Sequence, residues 1–334
     1  MRIRGLAVAI LVLASTALGQ QPPSTPPATP QSASPVSASS ADAGHDQPAN
    51  HNPFVDIPKL DLTPDTNGKL SQAQMQALLR LVADKDLEND QRQRDYTYTE
   101  REVEKWLDGK GQIKSTKVRT YEILEIYGEQ LERLIEKDDK RLDAKEAAKE
   151  EGKIQKVMDK RKNESDSDRK KRAEKAEEER EEERKFVTEI ADAYNFTLVG
   201  SQSLGGRDTW VIDGEPRPGF EPHLKYANLL PKIHGRVWID QQDLQLAKMD
   251  VEAFDTLSLG GFLARFHKGT HFILEQTRVN DEVWLPLHMA FKTDVRLVLL
   301  KEFHVEDEQT FHDYKKFRTS ARIVGVQEVK ADQK

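Results

Sequence analysis

The chain has 334 residues, of which 37% are hydrophobic, 33% are charged and 7% are aromatic, and it has no cysteine. Lys and Arg total 51 against 58 for Asp and Glu, so the formal net charge is −7. This charge gives no reason to expect a nucleic-acid-binding protein. The lack of cysteine excludes disulfides, thiolate metal sites and a cysteine nucleophile. Because composition is uneven along the chain, the sequence predicts one medium-sized soluble domain with appendages.

The N-terminus has the pattern of a secretory signal peptide. Arg2 and Arg4 precede an unbroken apolar run at residues 6–13, and Ala17-Leu18-Gly19 is a small-x-small cleavage site. The pattern predicts a signal peptide at residues 1–19 that is removed before Gln20. A retained anchor is the alternative, although the run is shorter than the roughly 20 apolar residues of a membrane span. Export without disulfides favours a bacterial periplasm.

Residues 20–52 are rich in Pro, Ser and Ala, and Val36 is their only large apolar residue. A segment of this composition buries too little apolar surface to offset the entropy of ordering. We therefore predict a disordered linker at residues 20–52, followed by a folded domain at residues 53–330.

The first elements of that domain are a helix and a β-hairpin. Ser71 and Gln74 have the spacing of a capping box. Apolar residues then recur three and four apart, at Met75, Leu78, Leu79 and Val82, so a helix is predicted from Ser71 to about Gln91. Two β-rich runs at 96–107 and 113–126 surround the turn sequence DGKG and predict a hairpin. Residues 131–135 predict a third strand.

Residues 137–185 interrupt the domain with a highly charged insertion. Between 136 and 185 there are 36 charged residues in 50, evenly split between the two signs, and no aromatic residue. Opposite charges three and four residues apart stabilise isolated helices. Asp143 and Ser165 or Ser167 are candidate N-caps, so we predict a solvated helical hairpin. A partner-binding coiled coil is the alternative.

After the insertion the apolar period changes from helical to alternating. Phe186, Val187, Ile190, Ala191 and Tyr194 form a stripe that predicts docking of the helix end on the core. Eight strand-like runs follow, the last two at 295–305 and 309–317, with predicted turns that include Gly205-Gly206, residues 240–243 and Asp307-Glu308. Short connections indicate antiparallel neighbours. The sequence thus predicts one long meander of about eleven strands, three before the insertion and eight after it.

Alternation along these strands assigns one apolar face to a curved sheet. Ala247, Met249 and Val251 are expected to share that face, as are Val283, Leu285, Leu287, Met289 and Phe291. The two amphipathic helix segments are expected to cover part of it. Apolar surface that the helices leave uncovered would bind an apolar ligand.

Four stretches resemble a known family: GRDTWVID, GRVWIDQQDLQLAKMDVE, KGTHFILEQTRVNDEVWLPLHM and TFHDYKKF. They are similar to the outer-membrane lipoprotein-sorting protein group, which has the fold of LolA, LolB and RseB, over Leu70 to Phe317 apart from the insertion. With its charged insertion, the chain further resembles a narrower branch of uncharacterised envelope proteins. The resemblance implies an α+β, mostly antiparallel half-open β-barrel with lid helices, a hydrophobic cavity for acyl chains and no covalent chemistry.

The functional prediction is a periplasmic, non-enzymatic carrier or sensor that binds a lipid, an acyl chain or a lipoprotein and is compatible with peripheral membrane contact. No cofactor, metal or catalytic set is predicted. The alternative is a structural or scaffolding envelope protein whose charged insertion binds a protein partner. The predicted groove residues are Trp210, Ile212, Val237, Ile239, Met249, Val251, Ile273, Leu285, Met289 and Phe291.

Other polar patterns favour structural explanations. His267 and His271 are four apart, as in some zinc sites, but they flank a predicted turn rather than share a helix face. Asp240 and Asp243 are expected to be turn residues rather than a carboxylate pair. Trp210, Trp238 and Trp284 are expected in the core, with a lipid-lining role as the alternative. The Pro-rich segment between Gly214 and Ile233 is long for a meander, so it is either a gate or a plain surface loop.

Overall fold

The computed structural model describes residues 60–127, 129–259, 264–297 and 302–316. The predicted signal peptide and linker lie outside these residues. The helices are α1 (Gln72–Gln93), α2 (Ala144–Lys162), α3 (Asp166–Ala193) and a 3-10 helix (Lys225–Lys232). The strands are β1 (Lys69–Leu70), β2 (Tyr96–Leu107), β3 (Ile113–Ile126), β4 (Glu129–Lys137), β5 (Lys140–Arg141), β6 (Tyr194–Leu204), β7 (Arg207–Pro216), β8 (Ile233–Asp240), β9 (Leu246–Ala253), β10 (Leu257–Leu259), β11 (Ala264–Phe266), β12 (His271–Val279), β13 (Val283–Leu297) and β14 (Glu302–Lys316).

All described strands belong to one antiparallel sheet in the order β1-β6-β7-β8-β9-β12-β13-β14-β2-β3-β4-β5, with β10 and β11 attached beside β13. The prediction of mostly antiparallel structure with helices is confirmed. The prediction of one continuous meander is wrong, because β5 and β6 do not pair and the two halves join through β14 and β2. Fourteen strands replace the predicted eleven, since the two-residue and three-residue strands give no periodic signal in the sequence.

The predicted turn at Asp307-Glu308 is also wrong. Both residues lie in the middle of β14, where Asp307 pairs with Phe291 and Glu308 with Ala290 on β13. On its other side β14 pairs with β2. Hydrogen bonding to two neighbouring strands holds this segment extended although acidic residues have a low strand propensity. The predicted strands at 295–305 and 309–317 are accordingly replaced by the ends of β13 and by β14.

The helix boundaries follow the predicted caps. Ser71 and Gln74 form the reciprocal capping box of α1. The Asp143 side chain caps α2, and the Ser165 hydroxyl accepts the backbone N–H of Asp168 at the start of α3. The charged insertion therefore contains two successive helices, α2 and the first part of α3. None of the helices in the described part of the chain combines the length and apolar composition of a membrane span.

The face of the sheet that packs against α1 and α3 is called the inner face here. Two clusters of buried side chains cover it. One joins Met75 and Leu78 of α1 and Phe186 and Ile190 of α3 to strands β6 to β8. The other lies mainly between β2, β9, β12 and β13. The docking of the α3 end is thereby confirmed.

Two β-bulges change the predicted faces. Leu287 falls in a register shift between β12 and β13 and is 43% exposed. Ala247 falls in a shift between β8 and β9 and packs with Trp238 in a small cluster on the outer face. An extra residue in one strand interrupts the alternation at the bulge. Sequence alternation alone therefore placed Leu287 and Ala247 on the wrong face.

Candidate functional site

Five of the predicted groove residues lie in the packed core of the inner face. They are almost inaccessible to solvent: Ile212 (0%), Ile239 (1%), Met249 (2%), Leu285 (0%) and Met289 (5%). Side chains this buried stabilise the domain by roughly 1.5–3 kcal/mol each through burial of apolar surface. They lie beneath the accessible surface of the inner face rather than on it.

The other inner-face positions form a half-buried apolar strip. Trp210, Val237, Val251 and Phe291 are all partly accessible. Trp210 packs against the first cluster, and the other three contact both clusters. This set, called the inner strip here, is the part of the predicted groove that a ligand can reach in the described structure.

Ile273 does not belong to the inner strip. It pairs with Asp250 on β9 and with Ala290 on β13, whereas its neighbours Phe272 and Leu274 are buried in the inner-face cluster. Paired residues on adjacent strands point to the same face. The prediction that Ile273 shares the groove face is therefore wrong, because the sequence run HFILEQ has apolar residues on both sides of its alternation.

Close approach of two strands determines the position of Val251. Gly235 on β8 pairs with Val251 on β9, and a Cβ at position 235 would lie 2.5 Å from Val251 Cγ1 and 2.7 Å from the Asp250 carbonyl oxygen. Only glycine fits there without displacement of the backbone. Gly235 thus leaves the space that the Val251 side chain occupies on the inner strip.

The inner face becomes polar where it crosses β14 and β2. The row that contains Phe291 continues through Asp307 to Glu104, and the next row contains Glu102 and Arg119. Arg119 donates to Glu102 at 2.9 Å. This region, called the polar wing here, comprises Glu100, Glu102, Glu104, Lys117, Arg119 and Asp307.

Burial shifts the acid–base behaviour of the polar wing. Desolvation, followed by repulsion from Glu132 and Glu102, raises the pKa of Glu100 to about 8. Desolvation and the nearby Glu102 raise the pKa of Asp307 to about 7. Burial also acts upward on Glu104, but hydrogen bonds from Trp106 and Lys117 outweigh it and lower the pKa of that carboxyl. The wing can therefore hold protonated carboxyl groups at neutral pH.

An ion network on the outer face escaped sequence analysis. Asp240 and Asp243 occupy the predicted turn, yet both carboxylates are buried and meet Arg207, at 2.6 and 3.1 Å. Asp243 also lies 2.8 Å from Arg278 and accepts the indole N–H of Trp284. The expectation of simple turn residues is thus corrected. Each charge of the network lies beside an opposite charge, which is typical of a structural role.

The candidate histidines have separate partners. His271 lies 2.6 Å from Asp250, and His267 lies 3.7 Å from Glu302. Within residues 60–127, 129–259, 264–297 and 302–316, no group of three or more His, Cys, Asp or Glu side chains is arranged to hold a metal ion. Each of these histidines lies beside a different carboxylate on the sheet surface.

A cavity of about 270 Å³ lies across β12, β13, β14 and β2. Its walls carry paired polar groups, since Lys292 lies 3.0 Å from Glu306 and the His288 ring lies 3.4 Å from Glu308. An acyl chain would desolvate these groups without replacing their hydrogen bonds. This cavity therefore suits a small polar ligand better than a lipid tail.

The Pro-rich segment before β8 is tied to the core. The buried Glu189 carboxylate of α3 accepts the backbone N–H groups of His223 and Leu224. The Tyr194 hydroxyl donates to the Leu230 carbonyl at 2.9 Å, and Leu230 is fully buried. These contacts favour a fixed packing element over a gate.

Comparison with known proteins gives matches among solved structures. No family profile and no curated protein matches the chain. An outer membrane lipoprotein-sorting protein domain from Vibrio parahaemolyticus matches with a TM-score of 0.30 and 12% identity, over 73% of this chain and 95% of that one. A DUF1329 family protein from Desulfovibrio piger matches with a TM-score of 0.28 and 11% identity, over 74% of this chain and 95% of that one. A LolA superfamily protein from Nitrosomonas europaea matches with a TM-score of 0.28 and 9% identity, over 73% of this chain and 93% of that one. The family named by the sequence resemblance is thus among the similar structures.

Proposed function

We propose that this protein is a periplasmic, non-enzymatic carrier or sensor that holds the acyl chain of a lipid or an acylated protein on its inner face. The inner strip is the observation that supports this function. Val237, Val251 and Phe291 remain partly accessible although they pack against both core clusters. Apolar side chains in that position gain free energy when an apolar ligand covers them.

The polar wing supplies the second part of the proposal. An acyl chain that follows the row from Val251 to Phe291 meets Asp307 and Glu104 next. The polar end of the ligand would therefore leave the apolar surface at these carboxyl groups. A neutral or cationic end group is compatible with them, whereas a second anion would be repelled.

A displacement assay tests the proposal. Purified protein is titrated with a fluorescent fatty-acyl probe, and the probe is displaced by amphiphiles with the same chain and amine, hydroxyl or carboxylate ends. We expect the amine and hydroxyl compounds to displace the probe better than the carboxylate. Lipid extraction and native mass spectrometry of protein purified from the periplasm provide an independent measurement.

Two substitutions on β13 form a matched pair. Phe291→Ala removes the largest side chain shared by the two clusters and should weaken probe binding about tenfold, since roughly 1–2 kcal/mol of apolar contact is lost. Leu287→Ala changes an exposed residue on the same strand and should leave binding unchanged. Near-UV circular dichroism checks that both variants are folded. Lipid-free protein with equal probe affinity in both variants contradicts an acyl-binding role.

The charged hairpin supports the alternative function of scaffolding. Its ion pairs are largely internal, since Arg161 and Arg172 both contact Glu164, at 2.9 and 2.8 Å. It is also fixed to the sheet, since Arg133 of β4 contacts Glu151 at 3.0 Å. Deletion of residues 136–185 separates the two functions: loss of a protein partner with retained acyl-probe binding favours scaffolding.

A further inference from the structure

A surface groove of about 250 Å³ runs between α1 and α3. Its floor is apolar and contains Leu79 and Ala83 from α1 and Val187 and Ala191 from α3. Leu79, Val187 and Ala191 are at most 9% exposed, so the floor is continuous with the core. The two alanines leave space that larger side chains would fill.

The two helices are antiparallel along this groove. The Gln76 amide donates to Asp192 at 2.9 Å near one end, while Asp84 and Arg184 line it further along. From residue 76 to residue 84 a helix rises about 12 Å. That length corresponds to about two turns of a third helix packed into the groove.

The rim of the groove carries two arginines and one aspartate. Arg80 on α1 and Arg184 on α3 line it, and both are exposed. Among the described residues Arg80 has no ion-pair partner within 4.0 Å, and the nearest carboxylate to Arg184 is that of Glu177 at 3.7 Å. The rim also contains Asp84, which forms no ion pair within that distance in the described part of the chain. Arg80 is thus available to a ligand carboxylate, and Arg184 faces it from the opposite wall with a long ion pair to Glu177.

We propose that this groove binds an amphipathic helix of a partner protein, with its apolar ridge on the floor and carboxylates against Arg80 and Arg184. A groove between two helices can accommodate a third helix. Apolar side chains at positions i, i+3, i+4 and i+7 of the bound helix span about 10 Å. The carboxylates complement the two arginines on the rim. This site is separate from the inner strip and adds a protein partner to the proposed function.

Two synthetic peptides test the charge complementarity. Both are helical, about 15 residues or roughly four turns long, with leucines at i, i+3, i+4 and i+7, and they differ only in having Glu or Lys beside the leucines. Binding of fluorescein-labelled peptide to the full chain is measured by anisotropy. We expect the Glu peptide to bind about tenfold more tightly than the Lys peptide, and the difference to shrink at high salt.

Three variants identify the groove as the binding site. The double variant R80E/R184E should reverse the preference in favour of the Lys peptide. Ala83→Trp fills the floor and should abolish binding of both peptides. Arg169→Glu changes an exposed arginine outside the groove lining on the same helix α3 and should leave both affinities unchanged.

Three results would overturn the inference. These are equal affinities for the two peptides, undiminished binding by Ala83→Trp, and displacement of the Glu peptide by dodecanoate, which would identify the groove as a fatty-acid site. The experiment is independent of the inner strip, because Phe291→Ala should leave peptide affinity unchanged. Failure of acyl binding and failure of helix binding are therefore distinguishable.

Discussion

The unusual protonation of Glu100 predicts that the protein loses stability as pH rises. In the unfolded chain this carboxyl ionises near its ordinary pKa of 4.5, but in the folded protein its pKa is about 8. Below pH 4.5 both states hold the proton. Between 4.5 and about 8 the unfolded state has released it while the folded state retains it, so the free energy of unfolding falls as pH rises. Above that range the loss is complete.

Glu100→Gln measures this effect directly, because Gln has nearly the shape of the protonated acid and does not ionise. Since each tenfold change in proton affinity is worth about 1.4 kcal/mol, a rise in pKa from 4.5 to about 8 sets an upper limit of roughly 5 kcal/mol. Glu100 is half-buried, and water screens part of its interaction with neighbouring carboxylates. We therefore expect the variant to be more stable than the parent by about 2 kcal/mol at high pH.

The assay is urea unfolding, followed by tryptophan fluorescence, at about pH 5 and about pH 9. Histidines contribute equally to the variant and the parent, so the difference between their free energies of unfolding isolates Glu100. The stabilisation should be large at the higher pH and small at the lower one. Glu252→Gln, an exposed position on the outer face of β9, is the matched control and should reproduce the pH dependence of the parent. A Glu100→Gln variant that is destabilised at the higher pH, or that gains equally at both, would refute the reasoning.

Three further substitutions test how the sheet and helices are held together, each by chemical denaturation. Gly235→Ala forces a methyl group against the backbone of β9 and should lower the free energy of unfolding by about 2–3 kcal/mol. The control Gly152→Ala, in α2 with nothing within 4 Å, should raise the free energy of unfolding by about 0.5–1 kcal/mol. Similar effects at both sites would disprove the close approach. Asn89→Ala removes the side chain that bonds both backbone groups of Trp284, at 2.8 and 2.7 Å, and should cost about 2–3 kcal/mol; a loss below about 0.5 kcal/mol argues against this anchor of α1. Asp243→Ala removes the carboxylate that Arg207 and Arg278 share, while Arg207 keeps Asp240 and Arg278 keeps Asp281. The variant should cost about 2 kcal/mol, and an unchanged midpoint would show the shared carboxylate to be dispensable.

Helices were predictable because their signals are local. The capping box at Ser71 and the caps at Asp143 and Ser165 each depend on residues three positions apart, and all three start a helix as expected. The change from a charged surface to an apolar stripe near Phe186 likewise identified the docked end of α3. No long-range information is needed for such features.

Strand faces were predictable only where the register is regular. Alternation assigned Met249 and Val251 correctly, but a bulge moved Leu287 outward, and the two-sided apolar run hid the outward position of Ile273. Bulges depend on how two strands pair, which one strand's sequence does not contain. The fold class was therefore easier to predict than the members of the groove.

Groups assembled from distant strands had no sequence signal at all. The polar wing exists because β14 pairs with β2, which brings Asp307 beside Glu102 and Glu104 across about 200 residues of chain. In sequence, the alternating acids of β2 look like an ordinary solvated face. Only the pairing shows that they continue the inner strip, and that the apolar surface has a polar end.

Helix α1 connects the two proposed binding surfaces without making them interdependent. One side of it carries Leu79 and Arg80 of the groove, and near its C-terminal end Asn89 fixes it to a part of β13 that β14 does not cover. An affinity at one site can change with occupancy of the other only if α1 takes up two positions. The direct hydrogen bonds from Asn89 to β13 oppose such movement. We therefore expect acyl probe and Glu peptide to bind independently, and coupling between them would show that α1 moves.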